Sequence, residues 1–98
     1  MATYVSLISY TQQGMQKIKE SPARLDEAKK VFKSMGAELK AWYLLVGEYD
    51  ALVISEGPDG ETVAKLLLMI GALGNVRTHT MLAFTENEYR KIVAGLPG

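Results

Sequence analysis

Eight side chains in this sequence are of types that could do chemistry: Tyr10, Lys40, Trp42, Tyr49, Asp50, Glu56, Arg77 and His79. His79 is the sole histidine, and an imidazole titrates close enough to neutral pH to take or give a proton. Asp50, directly after Tyr49, could stand at a pocket mouth as a base or hydrogen-bond acceptor. Tyr10, Lys40, Glu56 and Arg77 combine both signs of charge with a phenol hydroxyl, and beside Trp42 such a set could hold an anionic or polar small molecule. Each has a plainer reading, and in every case the plainer one is the stronger. Gly47 supplies a special backbone angle, Tyr49 packs and Asp50 accepts backbone hydrogens around a turn. The charged residues pair at the surface, and His79 lies at a surface or an interface. No metal-ligand spacing surrounds the lone histidine, and there is no cysteine to supply a thiolate, a disulfide or a nucleophile. No metal or cofactor is expected.

The elements that must position these residues begin with Gly47-Glu48-Tyr49-Asp50, which joins two strand-like runs, Leu39–Val46 and Ala51–Ile54, and so marks a β-hairpin at the middle of the chain. Ahead of it, Thr3–Tyr10 alternates loosely between apolar and small polar residues, as a strand does. Met15 and Ile18 suit a turn of helix. Ser21-Pro22 reads as an N-cap with proline at the first helical position. Leu25, Ala28, Phe32 and Met35 then share one helical face, Asp26 and Lys30 are spaced to pair on the wet side, and Gly36 suits a left-handed C-cap. Beyond the hairpin, Asp59 is placed to cap a helix carrying Val63, Leu66, Leu67, Ile70 and Leu73. Val76–Phe84 is a fourth strand. Thr85 and Glu88 form a capping box for a short closing helix with Tyr89, Ile92, Val93 and Leu96.

The order of elements predicts a single domain over residues 1–98 in the α+β class: a ferredoxin-like βαββαβ chain with an extra C-terminal helix and a four-stranded antiparallel sheet. Right-handed crossovers set the first and third strands side by side, and that central pair is drawn parallel, with the other two strands at the edges. In this arrangement Tyr10, Lys40, Glu56 and Arg77 approach one end of the sheet. Whether they share a face depends on hairpin register, because a slip of one residue turns every side chain over.

Composition narrows the function classes. Eleven basic residues balance eleven acidic ones in 98 residues, without the basic surplus of a nucleic-acid binder. No apolar run approaches the ~20 residues of a membrane span, and the chain opens without a signal-like stretch, so a soluble, cytoplasmic protein is expected. Lys29, Lys30 and Lys33 read as a solvated helix face, and Met69 and Met81 as core or interface filler. The strands, however, are apolar on both sides. Two helices cover one face of a four-stranded sheet, and the face left over, assigned here to Trp42, Leu44, Leu52 and Ile54, calls for another covering. The short closing helix could cover part of it. A second copy of the chain is the better candidate, so homo-oligomerisation is expected.

The Gly47-Glu48-Tyr49-Asp50 turn, Gly74-Asn75-Val76-Arg77-Thr78, the opening Thr3-Tyr4-Val5-Ser6-Leu7 and Ser21-Pro22-Ala23-Arg24 together resemble the GYD-domain family of small bacterial and archaeal proteins, over about residues 2–94. The resemblance implies a ferredoxin-like domain associating as the dimeric α/β barrels do, and brings no established reaction. The hairpin resembles more faintly the effector-sensing domain of feast/famine-type regulators, although no helix-turn-helix segment precedes it. The leading expectation is a small-molecule-binding or assembly module. The alternative is a cofactor-free isomerase or oxygenase of the dimeric α/β-barrel kind, acting on a small apolar or aromatic acid. That alternative requires a cavity between sheet and helices with His79 or Asp50 pointing into it.

Overall fold

Strand β1 spans Ala2–Tyr10 and is followed by a short helix α1 (Gln12–Gln16), a 3₁₀ turn (Ile18–Glu20) and helix α2 (Ser21–Ser34) in the computed structural model, which describes all 98 residues. Strands β2 (Glu38–Leu44) and β3 (Ala51–Gly57), helix α3 (Gly60–Ala72), strand β4 (Val76–Ala83) and helix α4 (Glu86–Ala94) complete the chain. The strands form one sheet in the order β2-β3-β1-β4, the ferredoxin-like arrangement with an added helix.

Every neighbouring pair in that sheet is antiparallel, including β1 with β3. The parallel central pair expected above is therefore corrected. A βαβ crossover makes β1 and β2 run the same way, and the hairpin then reverses β3, so the strand inserted between them opposes both. The correction moves residues by the length of the sheet. Tyr10 lies opposite Val76 at one end, whereas Glu56 lies opposite Thr3 and Glu38 at the other.

A bulge between Leu39 and Ala41 decides the faces of β2. Leu39 pairs with Ser55 and Ala41 with Ile54, leaving Lys40 outside the ladder. Trp42 then stands opposite Val53, and Leu44 opposite the fully buried Ala51, on the face covered by the helices. The assignment of Trp42 and Leu44 to the helix-free face is corrected with it, because strict alternation across Lys40 places them one residue out of phase. Leu52 and Ile54 do lie on that face, opposite Leu7 and Val5.

Local capping follows the sequence at most helix ends. Asp59 accepts the Thr62 amide at 2.8 Å. Thr85 and Glu88 make both bonds of their box, at 3.2 and 2.9 Å. Gly36 takes φ +75° after α2, a left-handed angle that glycine adopts freely. Two local expectations differ. The 3₁₀ turn leads straight into α2, so Ser21 is its first residue rather than its cap, and its hydroxyl lies 3.2 Å from that of Tyr10. Lys30 pairs with Glu27 at 3.4 Å and not with Asp26. Gly14 is buried where a Cβ would collide with the Asn75 carbonyl, so the α1 turn can close against the start of β4 only through a residue without a side chain.

The interior is small. Phe32, Ala37 and Leu66 form its centre, with Val31, Met35, Leu39 and Ile70 packed round them, and only ten of the 98 residues are buried. α4 contributes nothing to it. None of its residues is buried, and it makes no substantial contact with another element, so the partial covering of the sheet that the closing helix could have supplied is not made.

Candidate functional site

Asp50 ends the hairpin loop by replacing a backbone carbonyl. Its N–H donates to the Ile8 carbonyl at 2.8 Å, extending the β3–β1 ladder by one bond. Beyond that point its carboxylate takes over, accepting the Tyr10 N–H at 2.8 Å. Its own carbonyl accepts the Leu45 N–H at 2.9 Å, which closes the loop of residues 45–50. The loop is thus tied to two strands at once, and Asp50 is engaged by an amide of the neighbouring strand rather than by its own turn. Freed from the ladder, Tyr49 reaches the edge strand: its ring meets that of His79 edge-on, with centroids 5.6 Å apart and planes at 68°, a favoured aromatic geometry.

His79 lies opposite Leu7, and Arg77 opposite Ser9, on the face that no helix covers. Arg77, His79 and Tyr49 therefore gather at one end of that face. Its centre is apolar: Val5, Leu7, Leu52 and Ile54 run across it, flanked by Tyr43 on one edge strand and Met81 on the other. Tyr43 is 57% exposed and Met81 49%, large values for apolar side chains in the ladder of a sheet.

The proposed gathering of Tyr10, Lys40, Glu56 and Arg77 does not occur. Lys40 projects from the bulge at the far end of the sheet, 3.7 Å from both Glu38 and Glu56. These are exposed or half-exposed ion pairs, of a kind contributing about 0–1 kcal/mol. Tyr10 and Trp42 lie on the opposite face, under the helices, and neither joins Arg77 or His79. Eight candidate residues thus divide among three places, because antiparallel pairing separates their ends and the bulge separates their faces.

Under the helices is a feature the sequence did not reveal. α2 and α3 are splayed, and between them opens a cleft of about 790 Å³ that reaches the sheet at Ile8, Tyr10 and Trp42. Leu25 and Val31 of α2, Leu67 and Ile70 of α3, and Leu73 at the C-cap of α3 form its apolar walls. Neither His79 nor Asp50 lines it. Helical periodicity identified Leu25, Leu67, Ile70 and Leu73 as inward-facing but not Val31, and carried no information on the distance between the two helices.

With this geometry in place, comparison with known proteins gives the relationship. The model of the GYD domain matches residues 4–93. The chain belongs to the GYD domain family. A family relative from Thermus thermophilus, the glutamine synthetase and cystathionine beta-lyase binding protein, is 30% identical over 84 residues, covering 85% of this GYD chain and 88% of the relative. Among solved structures, the feast or famine regulatory protein of M. tuberculosis, determined with L-methionine, superposes with a TM-score of 0.66 at 19% identity over 87% of the GYD chain. The GYD chain spans about half of that regulator, 51% of its length. A hypothetical protein of Pyrococcus horikoshii matches with a TM-score of 0.57 and 22% identity, over 88% of the GYD chain and 93% of its own. Likeness at this level of identity establishes the shared ferredoxin-like fold.

Proposed function

We propose that this GYD domain is a binding and assembly module that pairs with copies of itself through the helix-free face of its sheet. The observation that carries the reading is surface left bare. The chain exposes 6829 Å², whereas a compact monomer of 10.8 kDa exposes about 5,500 Å². The excess exceeds the ~800 Å² that each partner buries in a standard interface. The flat apolar strip from Tyr43 through Leu52 and Leu7 to Met81 is its natural place, since two sheets stack face to face at about 10 Å.

Such pairing would enclose Tyr49, Arg77 and His79 at one end of the interface, with Glu56 and Lys40 at the other. Arg77, which has no ion-pair partner within its own chain, would offer a cation to a small anionic or polar ligand held there, and the Tyr49–His79 pair an aromatic wall. Two neighbours support binding as the mode of action: one relative is named for binding two enzymes, and a structural neighbour was determined with an amino acid. The alternative of a cofactor-free enzyme working in a cavity between sheet and helices gains a cavity, but not the His79 or Asp50 it needs there.

Sedimentation equilibrium at micromolar concentration tests the reading. The wild-type chain is expected as a multimer, and Tyr43→Glu with Met81→Glu, two exposed positions whose replacement leaves the interior intact, is expected to lower the mass with unchanged circular dichroism. A wild-type chain that sediments as a monomer would overturn it.

A further inference from the structure

Helix α4 is an amphipathic helix with nothing to pack against. Tyr89, Ile92 and Val93 fall on one side of the helix at spacings of three and one, Leu96 follows just beyond its end, and each of the four is between 47% and 62% exposed. Glu86 and Arg90 pair at 2.8 Å, and the capping box fixes the first turn. A nine-residue helix is too short to be stable in water on propensity alone, so its apolar stripe calls for a partner surface.

The α2/α3 cleft is a surface of the complementary shape. It is a groove with apolar walls, open to solvent, whereas the helix-free face is flat. A convex rod fits a groove as a flat sheet fits another sheet, by the helix-in-groove mode. The chain's own α4 does not make the contact: none of its residues is buried, and it has no substantial contact with another element. The groove therefore stands open to an α4 supplied by another copy.

We infer that α4 docks, apolar side inward, into the α2/α3 cleft of a second copy of the chain. The area supports a contact additional to sheet pairing: the excess of about 1,300 Å² over a compact monomer is larger than one standard patch of ~800 Å². Because sheet face and α4 are separate surfaces, a chain using both has two interfaces and assembles beyond the dimer unless the two close on one partner. The inference rests on self-association of the domain but names a different surface from the one proposed for the sheet.

Absence of native cysteine permits a direct test. Chains carrying Ile92→Cys are mixed with chains carrying Leu67→Cys, at the cleft, or Ile54→Cys, on the helix-free face, and treated with a short bismaleimide. A covalent mixed dimer with Leu67→Cys, at least tenfold above that with Ile54→Cys, is expected. Ile92→Asp is expected to lower the assembly mass of the otherwise wild-type chain while the sheet amides keep their protection. Preferential linkage of Ile92→Cys to Ile54→Cys, to its own kind or to neither would overturn the proposal. A multimer that forms with Ile92→Asp at full mass would do the same and leave the sheet-face reading standing. Loss of mass only with Tyr43→Glu and Met81→Glu would locate the association on the sheet alone.

Discussion

Asp50 holds three structural segments with one residue: its amide extends β3, its carbonyl closes the loop, and its carboxylate accepts the Tyr10 amide at the end of β1. That last bond is the one without a substitute. Tyr10 is partly buried and its N–H has passed the end of the ladder, so removing the carboxylate leaves a donor desolvated and unpaired. Asp50→Ala is expected to cost about 1–3 kcal/mol, whereas Asp50→Asn keeps an oxygen acceptor and should lose well under half as much. Denaturant midpoints at unchanged slope would measure both. Equal losses for the two variants would show that the charge, and not the hydrogen bond, matters. That a turn stands here was readable from the residue types, but the special backbone angle expected of Gly47 is not adopted, since positive φ occurs only at Gly36, Gly74 and Gly98. The bond's destination was not readable, because Tyr10 lies forty residues earlier and no periodic pattern links the two. Trp42 illustrates a second limit: alternation placed it on the open face, and the Lys40 bulge, which follows from no residue type in β2, turned it under the helices.

Among the elements, α4 is the one whose stability rests most on its own termini, since it has no packing within the chain. Thr85 and Glu88 therefore carry more of it than the same motif would carry in a buried helix. The Thr85 backbone amide, followed by the Thr85 hydroxyl, holds the Glu88 carboxyl below the usual carboxylate range. A group lowered in the folded state stabilises fully above its unfolded value, and that contribution disappears as pH falls through the folded value. On acidification below about pH 4.3, the α4 amides are expected to lose hydrogen-exchange protection before those of the sheet, and Glu88→Gln, which retains a capping side chain, should flatten that pH response. The readout must be the amides of α4 itself, because Asp59 at the start of α3 is a second capping carboxylate held below its ordinary value, chiefly by the Thr62 amide. An α4 that fades no earlier than the sheet in acid would show that the capping box does not limit it. The box and the helix were legible from four consecutive residue types. That α4 projects away from the fold was not, since an apolar stripe records that a helix has a partner and says nothing of which chain supplies it.

The shape of the whole molecule records the same imbalance. Its radius of gyration is 15.0 Å, against about 12.6 Å for a compact domain of this length, and it measures 54 × 31 × 18 Å. Layer thickness and strand order follow from the sequence pattern, but a long, thin outline with a small interior follows from the splayed helices and the projecting α4. A chain of this form draws part of its stability from contacts between copies, and that part obeys mass action: partner binding to the folded state alone raises stability with concentration. If two chains unfold and dissociate together, each tenfold rise in protein concentration adds about 1.4 kcal/mol per dimer, which for about 200 residues raises Tm by roughly 3–5 °C. Thermal unfolding followed at several concentrations should show that slope for the wild-type chain. The slope should fall to zero for a variant carrying Tyr43→Glu, Met81→Glu and Ile92→Asp together, because the triple variant keeps the interior of Phe32 and Leu66 and loses both proposed contacts. A wild-type Tm independent of concentration would mean that this small core suffices alone, and neither the sheet face nor α4 would then contribute to stability through another copy.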